Sequence, residues 1–333
     1  MKFKIGLVGC GYIGKKRAAS LGDRGELVAC ADLNFASAQE LASKYANVIP
    51  FNSWLEMLNK ADIDIVIVST LHDSLAEITL NSLTKQKHVL VEKPAARSRK
   101  ELLPILNYSQ TSNLKVHVGF NHRYHRSIQK AKSLINDGSL GELMFIRGRY
   151  GHGGRIGYEK EWRAEKSISG GGELIDQGPH LIDLSQWFFG SKLKYLSSVV
   201  DTYYWDMMVD DNAFLTLQTE KGQTSFLHVS CTEWKNMFSM EIYGKRGKLE
   251  INGLGGSYGV EKLTHYNMLE EMGPPETSEW EYPEADSSWS VEMNDFFNDI
   301  ENNNEPEANL ETTLNCMEVI EKIYKDSKYD FSS

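Results

Sequence analysis

Three glycines spaced as Gly9-Cys10-Gly11-Tyr12-Ile13-Gly14 follow directly on an apolar run, and that order leaves few folds open. Residues 3–9 read as a buried strand bounded by glycine, with a helix from Ile13 to about Leu21 behind it. In such a strand–turn–helix unit the first glycine permits a tight turn and the second lets the backbone approach a pyrophosphate. The third lets the helix pack close to the strand. The N–H groups of the helix start then face the phosphates. The spacing is a dinucleotide fingerprint, and Gly9, Gly11, Tyr12, Ile13 and Gly14 are candidate cofactor contacts. Leu27–Asp32 is the next strand and ends in an acid 18 residues beyond Gly14, where a carboxylate accepts hydrogen bonds from both ribose hydroxyls. Asp32 would repel a 2′-phosphate, and Leu33, Asn34 and Phe35 bring no arginine, so NAD is expected over NADP. The plainer alternative is a solvated aspartate capping the next helix.

The following segments keep the same rhythm. Ser37–Tyr45 is helical, and Ser53 with Glu56 forms a capping box ahead of the helix Trp54–Asn59. Ile63–Ser69 is apolar and β-branched, as a strand buried on both faces should be. Leu75–Thr84 is a helix, and His88–Val91 is a strand closed by Glu92-Lys93-Pro94. Arg99–Ser109 is helical and Lys115–Phe120 a strand. Strands alternating with helices predict parallel βαβ units and a doubly wound sheet.

The pattern then changes. A helix (Ser127–Asp137), a strand (Leu143–Tyr150), a glycine-rich loop (151–157) and a helix (Leu174–Phe189) lead into strands at Tyr195–Tyr204, Ala213–Thr219, Thr224–Thr232, Met237–Tyr243 and Gly247–Asn252. Turn signals at 220–223 and 244–247 predict antiparallel hairpins between neighbours. Residues 270–288, rich in Pro, Glu and Ser, are expected to be a loop, and helices at Val291–Asn302 and Asn309–Asp326 close the chain. With 333 residues, two cores are expected. The expected fold is α/β plus α+β. A doubly wound dinucleotide-binding domain spans 1–121. An open, mostly antiparallel sheet domain flanked by helices spans 122–333, the candidate substrate-binding and oligomerisation domain by its resemblance to the family named below, its closing helices free to pack back on the first.

Charge narrows the function. A net charge of -10 argues against a sequence-independent grip on nucleic acid. No apolar run approaches the roughly 18 residues of a membrane span. The short apolar stretch after Lys2 and Lys4 reads as a first strand, not a signal peptide. Cys10, Cys30, Cys231 and Cys316 are far apart, which fits a reducing, cytoplasmic setting and no cysteine zinc site.

A second signal lies mid-chain, where Gly170, Gly171 and Gly172 run into Glu-Leu-Ile-Asp-Gln-Gly-Pro-His. Asp176 and His180 are four residues apart, one turn of a helix, and a carboxylate beside an imidazole can handle protons. Asp183 extends the pair to a metal-capable set, but three ligands from one helix converge poorly, and no metal is expected. His117, His122 and His125 straddle a strand end and read as an ordinary mixture of core and surface.

The fingerprint, the Glu92-Lys93-Pro94 triplet and the Gly-Gly-Gly-x-Leu-x-Asp-x-Gly-x-His segment, in that order, resemble the Gfo/Idh/MocA family of NAD(P)-dependent sugar and cyclitol dehydrogenases over nearly the whole chain. The resemblance implies that Lys93 hydrogen-bonds the reacting hydroxyl, that Asp176 contacts substrate, and that His180 shares or performs proton removal. It also implies that Asn121 faces the site and that the protein is a homodimer or homotetramer. Ser69, Thr70, His72 and Glu92 join Lys93 as candidate cofactor contacts. The match fails after Thr70, where Leu75 stands in place of a family histidine.

The expected reaction is hydride transfer between a secondary alcohol and nicotinamide. His180, oriented by Asp176, acts as base, and Lys93 acts as electrostatic partner or as the base itself. The loop Tyr150–Tyr158 with Glu161, Trp162 and Arg163 is expected to overhang the pocket. Arg123, Arg155, Trp162 and Arg163 are candidate substrate contacts, and Arg155 and Arg163 are suited to a carboxylate or phosphate. The expected substrate is thus a sugar, cyclitol, sugar acid or nucleotide sugar, with an anionic group if both arginines engage it. Trp234 could stack on a sugar ring, though a lone aromatic is more often packing. Two rival functions remain open: an NAD-dependent glycosidase or lyase with transient oxidation, and a non-catalytic NAD-binding sensor.

Overall fold

The computed structural model describes residues 2–329 and divides into two compact units. One comprises the chain through Phe120 together with Trp289–Leu314; the other comprises Asn121–Ser288 and the chain from Asn315 onward. The closing segment is thus shared, its first part belonging with the N-terminal unit.

In the first unit the strands are β1 (Phe3–Val8), β2 (Gly25–Ala31), β3 (Ile49–Phe51), β4 (Ile65–Val68), β5 (His88–Glu92) and β6 (Val116–Gly119). They form one parallel sheet in the order β3-β2-β1-β4-β5-β6, the doubly wound order predicted by the βαβ pattern. The helices between them are α1 (Tyr12–Ala19), α2 (Phe35–Ala42), α3 (Trp54–Lys60), α4 (His72–Thr84) and α5 (Arg99–Gln110). Their starts follow from local chemistry. Ser53 Oγ accepts from the Glu56 N–H at 3.3 Å, and Asn34 Oδ1 accepts from the Ala36 N–H at 3.2 Å. Ile65, Val66, Ile67 and Val68 are all fully buried, because helices cover both faces of the sheet. Each such side chain contributes roughly 1.5–3 kcal/mol by leaving water.

The second unit holds α6 (Arg126–Asn136), β7 (Leu143–Gly151), the short helices α7 (Lys166–Ser169) and α8 (Glu173–Asp176), and α9 (Gly178–Phe189). Seven strands follow: β8 (Lys194–Asp201), β9 (Asn212–Gln218), β10 (Thr224–Ser230), β11 (Met237–Gly244), β12 (Gly247–Asn252), β13 (Glu261–Asn267) and β14 (Glu276–Tyr282). Together with β7 they form an eight-stranded sheet in the order β14-β13-β12-β11-β7-β10-β9-β8. One face packs on α6, α9 and the end of α11 (Leu310–Asp326) through Ile128, Leu181, Ile320 and the inward residues of the strands. The preceding helix α10 is Ser288–Glu301.

Three expectations are corrected here. The strands β10 and β11 do not form a hairpin, because β7 lies between them, parallel to β10 and antiparallel to β11. Residues 276–282 are a strand, not a loop. As the sheet edge, β14 is almost all polar, with only Trp280 packed on the core, and Lys262 of β13 bridges its Glu279 at 2.9 Å. Charge on an edge strand deters pairing with other chains and removes the alternation that marks an inner strand. Finally, the helix read over Leu174–Phe189 is broken at Gln177. Pro179 has no N–H for the carbonyl four residues back, so it interrupts a continuous helix, but it is tolerated in the first turn of α9, which starts at Gly178.

An ionic network lies buried in the first unit. Arg17 of α1, fully buried, donates from Nε to Glu92 Oε1 at 2.6 Å and from Nη1 to Glu292 of α10. His117 Nε2 lies 3.2 Å from Glu292 Oε1. Burial pushes the Glu92 carboxyl up against the pull of Arg17; Glu292 is also buried, but the charge of Arg17 and the bond to His117 hold it below the usual range. Removing the guanidinium would strand two carboxylates. Arg17→Ala should therefore lower the free energy of urea unfolding by about 3–5 kcal/mol. The triple change Arg17→Met, Glu92→Gln, Glu292→Gln should recover at least half of that loss. A loss below about 1 kcal/mol for Arg17→Ala would show that the network does not matter to stability.

Candidate active site

The glycine loop of the first unit has the steric logic of a phosphate cradle. Gly9 has φ +92°, and a Cβ there would lie 2.5 Å from the Ser69 carbonyl oxygen. At Gly14 a Cβ would lie 1.9 Å from the Gly9 carbonyl oxygen, so α1 and the turn touch backbone to backbone. Gly11, the N-cap of α1, is different: a Cβ there meets nothing within 4 Å. Within the protein, then, nothing requires glycine at position 11, and the space beside the first-turn N–H groups is open. Tyr12 is exposed beside this opening, with Lys16 over its ring, and Ile13 follows in the same turn.

Asp32, just past β2, is tied to that loop. Its Oδ2 accepts from the Cys10 N–H and its Oδ1 from the Asn34 N–H, both at 2.8 Å. The cap of α2 is Asn34, so Asp32 does not cap the helix. Its carboxylate is oriented beside the loop, and each oxygen retains a lone pair for a ribose hydroxyl. Ser69 donates to the Gly9 carbonyl at 2.9 Å and so braces the loop from behind. Thr70 accepts from Ser74 Oγ at 2.9 Å, and His72 is buried at the start of α4. These residues fit a dinucleotide, which would supply a hydride acceptor.

The Glu92 carboxylate, among the candidate cofactor contacts, accepts from Arg17 and so fixes the strand end that carries Lys93. Lys93 is half-buried, and its bond to Pro94 is cis.

The second unit organises the mid-chain signal. Gly170 (φ +81°) ends α7. A Cβ on Gly171 would lie 2.3 Å from the Tyr324 hydroxyl, and one on Gly172 would lie 2.0 Å from the Asp210 carbonyl oxygen. Asp210 is wholly buried and accepts from the N–H groups of Gly172 (3.1 Å) and Leu174 (2.7 Å) and from the Tyr324 hydroxyl (2.8 Å). Burial pushes its carboxyl up to about 6 against those bonds. The glycine run is therefore a docking surface for Asp210 and Tyr324, and it aims α8 with Glu173 and Asp176.

Asp176 and His180 lie on either side of the break at Gln177, both buried. Asp176 Oδ2 accepts from Arg163 Nε at 2.9 Å. The His180 ring stacks on His122 at 3.8 Å and 15°, with Tyr150 edge-on at 5.8 Å. Glu173, also buried, lies 3.7 Å from His152 Nε2. Tyr158 is buried next to this group, and burial and the charges of Glu173 and Asp176 hold its hydroxyl well above the usual range. It stays a phenol, a hydrogen-bond donor. Trp162 packs against Arg163, whose guanidinium carbon is 4.5 Å from the ring centroid.

The expected arginine contacts are already paired. Arg123 grips Asp183 with two bonds of 2.7 Å, so the Asp183 carboxylate is turned to Arg123 rather than joined with Asp176 and His180 in a metal set. Among the described residues no His, Cys, Asp and Glu cluster can hold a metal. Arg155 pairs with Glu161 at 2.7 Å. Asn121 is buried and donates to Ser288 Oγ at 3.2 Å. His117, His122 and His125 are all buried, correcting the expected mixture of core and surface. Glu173 and Asp210 are the residues that sequence reasoning missed, while His122 was read as an ordinary histidine and Tyr158 only as the end of the overhanging loop; of the two missed, only Glu173, within the glycine segment itself, carried a local signal.

Residues 3–120 match the family model described as an oxidoreductase family with an NAD-binding Rossmann fold, and residues 128–250 match the GFO/IDH/MocA C-terminal domain. Levoglucosan dehydrogenase of Pseudarthrobacter phenanthrenivorans is 25% identical over 230 residues, 66% of this chain and 59% of that protein. Inositol 2-dehydrogenase of Salmonella typhimurium is 24% identical, covering 80% of this chain and 79% of its own length. A solved levoglucosan dehydrogenase, in complex with NADH and levoglucosan, shares the fold with a TM-score of 0.88 at 20% identity, covering 99% of this chain and 98% of the other.

Gly11→Ala tests the cradle. It should weaken NADH binding at least about tenfold, roughly 1.4 kcal/mol, in a fluorescence titration, and leave the thermal midpoint unchanged. Gly14→Ala should lower the thermal midpoint as well. Unaltered NADH affinity in Gly11→Ala would mean that no pyrophosphate approaches that backbone.

Proposed function

The chain belongs to the GFO/IDH/MocA oxidoreductases, and we propose that it oxidises a secondary hydroxyl of a neutral sugar or cyclitol, with NAD as hydride acceptor. The observation that carries the substrate class is charge balance. Asp176 is paired with Arg163, and Arg155 with Glu161, while Glu173 adds a further carboxylate. A site in which both expected anion-binding arginines are already matched suits a neutral polyol better than a phosphate or carboxylate. The relatives named for levoglucosan and inositol support the same class.

In this reading Gly9, Gly11, Gly14 and Asp32 hold the dinucleotide. Lys93 hydrogen-bonds the reacting hydroxyl and stabilises negative charge on its oxygen as the proton leaves. His180 takes that proton, its ring held by the stack on His122. Asp176, anchored by Arg163, receives a neighbouring hydroxyl of the substrate. Lys93→Ala and His180→Ala should each lower turnover by roughly 10²–10⁴ and leave NADH affinity within about threefold. Sugars, inositols, sugar acids and nucleotide sugars, screened by NADH absorbance with NAD and with NADP, provide the readout. Near-wild-type turnover in both variants would remove the proposal. Oxidation without net NADH accumulation would favour a lyase that re-reduces its intermediate.

The outer face of the eight-stranded sheet supports self-association. The register aligns Val199, Phe214, His228 and Arg149 in one row and Thr216, Phe226, Arg147 and Glu241 in the next. Val199 and Phe226 are more than half exposed, and acidic and basic residues share the face, which suits a self-complementary contact. Phe226→Glu should therefore shift the mass measured by light scattering from that of a dimer or tetramer toward that of a monomer; a wild-type monomer would contradict the assignment. The four cysteines are unbonded and buried, which supports a reducing, cytoplasmic setting. Among the described residues no helix is long and apolar enough to cross a membrane.

A further inference from the structure

The helix α8 is a single turn, Glu173–Asp176, and a turn that short is not stable by itself. Its first N–H groups lack partners within the helix, and its N-cap, Gly172, has no side chain to offer one. One residue outside the helix meets them. Asp210, just ahead of β9, accepts from three successive N–H groups: Gly172 at Oδ1 (3.1 Å), Glu173 at the main-chain carbonyl (2.9 Å) and Leu174 at Oδ2 (2.7 Å). Tyr324 of α11 donates to Oδ1 at 2.8 Å and accepts from the Gly172 N–H at 3.1 Å. Asp176 closes the turn, its N–H donating to the Gly172 carbonyl at 3.1 Å.

The groups bonded to the two carboxylate oxygens, Gly172 N–H, Leu174 N–H and Tyr324 O–H, are all donors. A proton on Asp210, or the amide of an asparagine in its place, would set donor against donor at one of them. Burial works against these bonds: Asp210 is fully buried, and its carboxyl is pushed up to about 6. The titratable groups around it are Tyr324 from α11, Glu173 from α8, Cys231 after β10 and, on its own segment, Asp211. Burial and the charge of Asp210 hold the Tyr324 hydroxyl well above its usual range, so it remains a donor throughout. His180 is held differently. It lies beyond the break at Gln177, on α9, with its ring stacked on His122.

We infer that Asp210 is a positioning residue for substrate binding: as a carboxylate it fixes α8 and thereby Asp176, and in its neutral form it lets that turn loosen. The inference rests on the dehydrogenase reading, in which Asp176 receives a substrate hydroxyl. It separates two steps. Asp210 governs KM through Asp176, while proton removal by His180 keeps its own support. Because the carboxyl titrates at about 6, substrate affinity falls as pH drops through that value and returns above it.

Hydrogen–deuterium exchange reads the hold on α8 without a substrate. In the wild type the peptide containing Gly172–Asp176, corrected for intrinsic rates, should exchange about tenfold faster at about pH 5 than at about pH 7.5. Asp210→Asn should exchange at the fast rate at both. Tyr324→Phe removes a bond to the charged form, so Asp210 should titrate higher and the change should come at higher pH. On the best substrate of the sugar and inositol panel, Asp210→Asn should raise KM about tenfold at about pH 7.5 and leave kcat within about threefold. In an Asp176→Ala background it should raise KM no further. A wild-type exchange rate that is flat across pH, or unchanged exchange in Asp210→Asn, overturns the inference. So does a fall in kcat with KM unchanged, or additive effects of the Asp210 and Asp176 changes. If Asp210→Asn does not fold, the wild-type pH series and Tyr324→Phe decide the matter. No NADH from any member of the panel would instead bring down the dehydrogenase reading, and exchange would then decide the hold on α8 by itself.

Discussion

Everything that positions chemistry in this molecule depends on backbones that touch where no Cβ fits. At Gly14 the helix α1 lies against the carbonyl of Gly9, with 1.9 Å left for a Cβ. At Gly172 the segment entering α8 lies against the carbonyl of Asp210, with 2.0 Å. Real Cβ contacts never come so close, so each glycine brings two segments nearer than any other residue would allow. In the first unit the result is a helix start set squarely behind a turn. In the second it is a short helix whose acids are turned inward beside a histidine. Gly11 shows the opposite logic, since its space is left open by the protein.

Arginine fixes what the glycines bring together. Arg17 clamps Glu92, and so holds the strand end at Lys93. Arg123 clamps Asp183 one turn past His180, and Arg163 clamps Asp176. The planar guanidinium suits this work because it offers several N–H donors at fixed angles and stays charged when buried. The consequence is electrostatic. These arginines are used up in orientation, each matched by a carboxylate of its own unit.

The parallel sheet was legible because each of its strands carries its own signal: an apolar run, a glycine or acid at its end, a helix after it. The fingerprint and the position of Asp32 were legible for the same reason. The antiparallel sheet was legible only hairpin by hairpin. The placement of β7 between β10 and β11 depends on pairing partners some 80 residues apart, which local pattern does not encode. The strand β14 escaped because it is an edge, and edges shed the alternation that identifies inner strands. In the site, Asp176 and His180 were legible as a motif. Their real neighbours were not: Arg163 for one and His122 for the other come from separate elements. The partner of Glu92 was not legible either, because Arg17, 75 positions away, carried no local mark of being buried.

The parts of the second unit differ in how they are held. His180 and Asp176 sit on helices sealed into a core, where a misplaced atom would disturb many neighbours. Trp234 and Tyr204 sit on loops, but these loops are tied by Asp211, by two glycine contacts and by a backbone bond to His152, so they are ordered without being buried. Ordering exposed rings in this way costs conformational entropy and, at Trp234, backbone strain. No core packing offsets that cost, because the rings face solvent. What offsets it is the set of bonds that tie the loops, from the Tyr203, Tyr204 and Trp205 N–H groups to Asp211 and from the Glu233 N–H to the His152 carbonyl.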